Sequence, residues 1–182
     1  MSRLPDLPRA AMTDEQRRIH DEILAGPRGR VQGPLKVWLH SPGLADVAQK
    51  LGAYMRFGSR LPPRLSELAI LVTGAHYKAE LEWHAHVRFA HQAGIPEAVT
   101  EAIGNGETPE LPEADQRIVH AVALELTRDH RLGEATFNTA VEVLGLPALV
   151  DLIGIVGYYG LVSLTLNAFE IPAPDGSRAF VR

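Results

Sequence analysis

The chain has no cysteine. Disulfides, thiolate metal sites and thiol nucleophiles are therefore excluded, and a cytoplasmic location fits. An excess of basic charge is also missing. With 18 basic and 22 acidic residues the formal net charge is −4, so there is no electrostatic footprint for a nucleic-acid partner. The opening stretch MSRLPDLPRAAMTDEQRR carries charges but no apolar run behind them, so no signal peptide is visible. Long apolar runs are scarce as well. The exception is LIGIVGYYGLVSLTLNAF, Leu152 to Phe169, which has no charge and sits at the lower limit for a membrane span. Its glycines, its two tyrosines, Ser163, Thr165 and Asn167 make it a poor one. Gly154, Gly157 and Gly160 instead form a strip of small residues that lets another helix approach. We read the segment as a buried core or subunit-interface helix and expect no membrane partner.

What is present is ordinary globular composition: 46% hydrophobic and 22% charged residues in 182, enough for one self-sufficient domain over 1–182. The hydrophobic periodicity is helical nearly throughout, with turn residues between segments. Thr13 followed by DEQRRIHDEILAG gives an N-cap, early acids and a terminal glycine. Ser41-Pro42 opens a helix to about Phe57, and Pro62-Pro63 opens RLSELAILVTGA, apolar around most of its circumference. A helix from about Tyr77 to Ala93 ends at Gly94, and a short one follows from Pro96 to Ile103. Three more are expected: Glu113 to about Asp129, Glu134 to Leu144, and Pro147 to about Phe169. The loop GPRGRVQGP, Gly26 to Pro34, lacks the GK[ST] ending of a phosphate loop and reads as a surface or mouth segment. The tail PAPDGSRAFVR reads as an irregular arm. The prediction is an all-α bundle of about seven or eight helices, with its core at about 41–172.

The helix ELEWHAHVRFAHQAG, Glu80 to Gly94, is crowded with titratable groups. At about 100° per residue, Glu82, Trp83, His86, Val87, Phe89, Ala90 and Ala93 share a wedge of roughly 160°. His84, Arg88 and His91 fall on the opposite, polar face. Glu82 and His86 stand at i and i+4, where side chains are neighbours. A carboxylate and an imidazole in an apolar wall are costly unless they satisfy each other. The preceding helix adds Glu67, fifteen residues before Glu82. A turn near Gly74 would fold the two helices into a hairpin and bring Glu67, Glu82 and His86 into one buried pocket.

Spacing leaves two readings of that trio open, a satisfied structural contact or a catalytic group. Only one histidine faces inward, because His84 and His86 diverge by about 200° on a helix, so no metal site is expected. Trp83 at this spacing reads as packing. Tyr158 and Tyr159 fit a pocket wall and an interface equally.

The run RLPPRLSELAILVTGAHYKAELEWHAHVRFAHQAGIPEAV resembles the carboxymuconolactone decarboxylase family, which shares the alkylhydroperoxidase-D-like (AhpD-like) fold. The resemblance rests on RLxxRLxELAIL, on EWxxH (Glu82, Trp83, His86) and on the following AGI turn, and it extends over about Ser41 to Pro172. The peroxidase branch carries CxxCxxxH on this helix with a glutamate twelve residues before the first cysteine. Here the glutamate (Glu67) and the histidine (His86) match, but Ala79 and Glu82 stand at the cysteine positions. Thiol peroxidase chemistry is therefore unavailable to this polypeptide.

The resemblance implies removal of CO₂ from a small carboxylated lactone, with no metal or organic cofactor, in a pathway such as aromatic catabolism. His86 would donate or shuttle the proton, with one of Glu82 and Glu67 orienting it and the other serving as a second acid. Trp83, Phe89 and Tyr158 would wall the pocket, and Arg60 or Arg64 would hold the substrate carboxylate. The resemblance and the apolar last helix together imply a homo-oligomer, from dimer to hexamer. A peroxide-metabolism protein with thiols supplied from elsewhere, and a non-catalytic oligomeric binding protein, are the alternatives.

Overall fold

Thr13 starts the first long helix as its sequence context requires. Its side chain accepts from the Gln16 amide while the Gln16 side chain accepts from the Thr13 amide, a capping box over α1 (Asp14–Ala25). The computed structural model describes residues 2–180 of the chain. Among them are eight further α-helices and no strand: α2 (Pro34–Trp38), α3 (Pro42–Phe57), α4 (Pro63–His76), α5 (Glu80–Gln92), α6 (Glu97–Asn105), α7 (Ala114–Arg128), α8 (Glu134–Leu144) and α9 (Leu146–Ala168). The all-α expectation holds. The added helix is α2, a five-residue piece too short to show a period, opened by a proline inside what reads as loop.

α4 is the centre of the bundle. Every residue from Leu65 to Gly74 is buried, so the helix that is apolar all round is enclosed all round, packed by α5, α6, α7 and α9. The turn into α5 differs from expectation. α4 continues through Gly74 to His76, and the chain reverses over Tyr77 to Ala79 with Lys78 in the left-handed region at φ 51°. Ala79 N–H closes the turn by donating to the Gly74 carbonyl at 2.9 Å. Gly74 is not required for space, since a Cβ there would make only an ordinary contact with the Glu82 Cβ at 3.9 Å.

By length and composition α9 could cross a membrane. It instead lies against α2, α3, α4, α7 and α8 and buries Asp151 and Ser163 among its apolar residues, which makes it a core helix of the bundle. Of its glycine strip, Gly154 receives Met55 and Gly160 faces Tyr77, whereas Gly157 faces open space. On that outer side Val150, Ile153 and Leu164 are exposed, as are Val47, Leu51 and Tyr54 of the adjoining α3.

The C-terminal tail is irregular but not a free arm. Ala179 and Phe180 donate their amides to the Glu80 carboxylate at 2.7 and 3.2 Å, and Phe180 packs edge-on against Trp83. Val181 and Arg182, which belong to the predicted arm, lie outside the described residues.

Candidate active site

Glu67 from the middle of α4 and the pair Glu82 and His86 from α5 converge. All three are at least nine-tenths buried. His86 Nδ1 donates to Glu67 Oε2 at 2.6 Å, and His86 Nε2 lies 3.2 Å from Glu82 Oε2. The i, i+4 spacing provides the second contact and the α4–α5 hairpin provides the first. Burial alone would strip the imidazole of its proton. The two carboxylates outweigh that cost and raise its pKa to about 9, so at neutral pH His86 is an imidazolium donating from both nitrogens. Aromatic edges complete its surroundings, with the Tyr159 ring centred 5.1 Å and the Phe89 ring 5.7 Å away.

The ion-paired set is not sealed. Glu82 and His86 line a cavity of about 250 Å³ together with Phe89, Tyr158 and Tyr159. Glu67 does not line it; that carboxylate holds His86 through Nδ1 while Nε2 meets the cavity-lining Glu82. Burial pushes the Tyr158 hydroxyl up to about 12 and that of Tyr159 well above its ordinary value, so both stay neutral and can donate. Both nitrogens of His86 are committed to carboxylates, and among the described residues no group of three or more His, Asp or Glu side chains is placed to hold a metal ion.

Three sequence-predicted residues lie elsewhere. Trp83 is on the right helix but turns to the flank of the wedge, where it packs on Phe180 and against Gly104 and borders a separate depression. Arg60 is held at the start of α4 by Asp151 of α9, which accepts from the Arg60 amide at 2.9 Å and from its guanidinium at 3.3 Å. Arg64 forms a bidentate ion pair with Asp115 of α7, with Nη1 to Oδ1 at 3.0 Å. Both arginines fasten helices together, and neither lines the cavity.

The cations that do reach it are Arg28 and Arg30 from the loop after α1 and Arg56 near the end of α3. The mouth reading of that loop was the available signal. The step from loop to particular arginines required knowing that α3 and α9 meet beside it. Gly52 on α3 makes that meeting possible, because a Cβ there would overlap both the Tyr158 hydroxyl and the Arg28 guanidinium.

Among solved structures, the chain is similar to the alkylhydroperoxidase AhpD core of an uncharacterized peroxidase-related protein from Ralstonia eutropha, at 18% identity and a TM-score of 0.77, over 99% of this chain and 97% of that one. It is also similar to an uncharacterized peroxidase-related protein from a Silicibacter species, at 18% identity and a TM-score of 0.76, over 98% of this chain and 96% of that one. No family model and no curated protein matches the chain. At this identity the likeness concerns architecture, and it shows that the chain has the AhpD-like all-helical fold.

Proposed function

We propose that the protein is a cofactor-independent lyase or isomerase of the carboxymuconolactone decarboxylase type, acting by acid–base chemistry on a small carboxylated lactone or related carbonyl compound. The observation that carries this reading is His86, held between two carboxylates at the wall of a cavity small molecules can enter. A cavity of about 250 Å³ lies below the range of roughly 300–1,000 Å³ occupied by drug-sized ligands, so the substrate is small.

In the reaction, the bond between the substrate carboxylate and the ring breaks and CO₂ departs. The electron pair left behind spreads into the conjugated carbonyl system and is captured by a proton on carbon, which shifts the double bond. The proton comes from the His86–Glu82 pair: Glu82 receives it across the Nε2–Oε2 contact and delivers it into the cavity, and a proton from water restores the pair. Glu67 fixes the ring and holds the imidazolium. Tyr159, neutral and beside His86, keeps the site dry on that side. No oxidant or reductant is consumed.

Incubating the purified protein with a panel of small carboxylated lactones and measuring CO₂ release tests the reading. Turnover that disappears in His86→Ala supports it, and no turnover of any member counts against it. The neighbours' description as peroxidase-related suggests a second reading, peroxide reduction with thiols from another protein. A cumene hydroperoxide assay with reductant systems decides between them. The exposed apolar faces of α3 and α9 support one further element of the proposal: the chain self-associates there, since a second copy supplies the matching uncharged surface of an isologous contact.

A further inference from the structure

Arg28, Arg30 and Arg56 line the cavity, yet among the described residues no carboxylate pairs with any of them. This is unlike the chain's other arginines near the core: Arg60 and Arg64 are both matched by aspartates. Arg28 and Arg56 are also half-buried, which makes an unmatched charge costly. Their partial compensation is visible. Arg56 stacks over the Phe89 ring at 4.4 Å, the same ring that borders His86, and also lies over Phe57 at 5.5 Å. Arg28 Nη2 donates to the Tyr158 hydroxyl at 3.4 Å, while its Nε is buried with no partner.

The charges of the chamber do not cancel. Three arginines and the His86 imidazolium face one lining carboxylate, Glu82, with Glu67 behind the ring. The chamber is therefore positive, and its mouth holds an unused guanidinium donor. The chain also reserves the space for it, since any side chain at Gly52 would displace both Arg28 and Tyr158. A planar guanidinium is matched by a carboxylate, which neutralises the charge and accepts from its remaining N–H groups.

We propose that Arg28 and Arg56, with the Tyr158 hydroxyl, form an anion-binding subsite that anchors the carboxylate of a small lactone or keto acid at the mouth of the Glu82–His86 cavity. Arg30, exposed at the rim, draws the anion in. This deepens the lyase reading and rests on the same cavity, but the binding step does not require that His86 do chemistry.

The test uses a probe that binds without reacting: 5-oxotetrahydrofuran-2-carboxylate, a saturated lactone acid with no conjugation to accept the electrons left by CO₂, compared by calorimetry with its neutral primary amide. The carboxylate is expected to bind at least tenfold more tightly than the amide. Arg28→Gln and Arg56→Gln each erase that preference while leaving the amide unaffected, and Arg64→Gln, outside the cavity, changes neither. Equal binding of the two probes, no carboxylate binding at millimolar concentration, or full carboxylate affinity in both cavity variants overturns the subsite. His86→Ala separates the two proposals. Retained carboxylate binding with no turnover of any lactone by the unsubstituted protein leaves the subsite standing and removes the lyase. Turnover with an unchanged KM in Arg28→Gln and Arg56→Gln does the opposite.

Discussion

Glu67 Oε2 lies 2.6 Å from His86 Nδ1, and Glu67 itself stays out of the cavity that His86 lines. In the proposed mechanism the contact divides the labour among three titratable groups: a carboxylate outside the cavity fixes the orientation and charge of the imidazole, leaving the Nε2 side and Glu82 to act on the substrate. His86→Ala and Glu82→Gln are expected to lower kcat by roughly 10²- to 10⁴-fold, the usual worth of a general acid. Their helical circular dichroism should remain that of the unsubstituted protein. Unchanged turnover in both variants removes the mechanism.

Glu67→Gln is expected to behave differently. One of the two carboxylates that raise the His86 pKa to about 9 is lost, so the alkaline limb expected in the kcat/KM profile moves to lower pH. A purely structural Glu67 would reduce stability and leave the limb in place.

The same shift makes stability depend on pH. The folded pKa of His86, about 9, exceeds the ordinary unfolded value of about 6.5, so the folded protein holds a proton that the unfolded chain releases. The stabilisation is complete below about pH 6.5 and is lost as pH rises through 9, an effect on the order of 3 kcal/mol. Denaturation midpoints measured between pH 6 and 10 should fall over that window, and His86→Ala should flatten the fall.

Gly52→Ala is expected to raise KM and to lower the melting temperature. The added methyl overlaps the Tyr158 hydroxyl and ring as well as the Arg28 guanidinium, and Tyr158 is buried in the core. A large loss of stability with unchanged KM would show instead that the close approach serves only packing.

Val150 and Ile153 are exposed on α9, and Val47 and Leu51 are exposed on α3, the helix packed against it. Sedimentation equilibrium should find an oligomer that Ile153→Asp dissociates. A monomer at all concentrations contradicts self-association through this face.

How far the sequence could be read depended on whether the relevant physics was local. The inward placement of Glu82 and His86 follows from helical geometry within a single segment, and the burial of Glu67 from a helix with no polar side. The fold class follows from the same periodicity. Which arginines reach the cavity is not legible locally, because it is a tertiary matter. Arg60 and Arg64 sit in the recognisable motif, but Asp151 and Asp115, distant in sequence, claim them. Arg28 and Arg56 belong to segments that meet only because α3 passes α9 at a glycine. Trp83 belongs to the predicted wedge but faces its flank, where the C-terminal tail, whose docking no periodicity could indicate, packs on it. The reversal at Lys78 had no signal, since a lysine with φ 51° is a conformation that sequence reading assigns to glycine or asparagine.

The proposed mechanism requires a proton that two glutamates keep on His86. Nitrogen-15 NMR of imidazole-labelled protein, with His86 assigned by comparison with His86→Ala, reads that proton without any need to know the substrate. Both ring nitrogens should be protonated at pH 7.5, with a titration midpoint near 9 that falls in Glu67→Gln. A neutral His86 ring at pH 7.5, titrating at or below the value of a free histidine, would contradict the account.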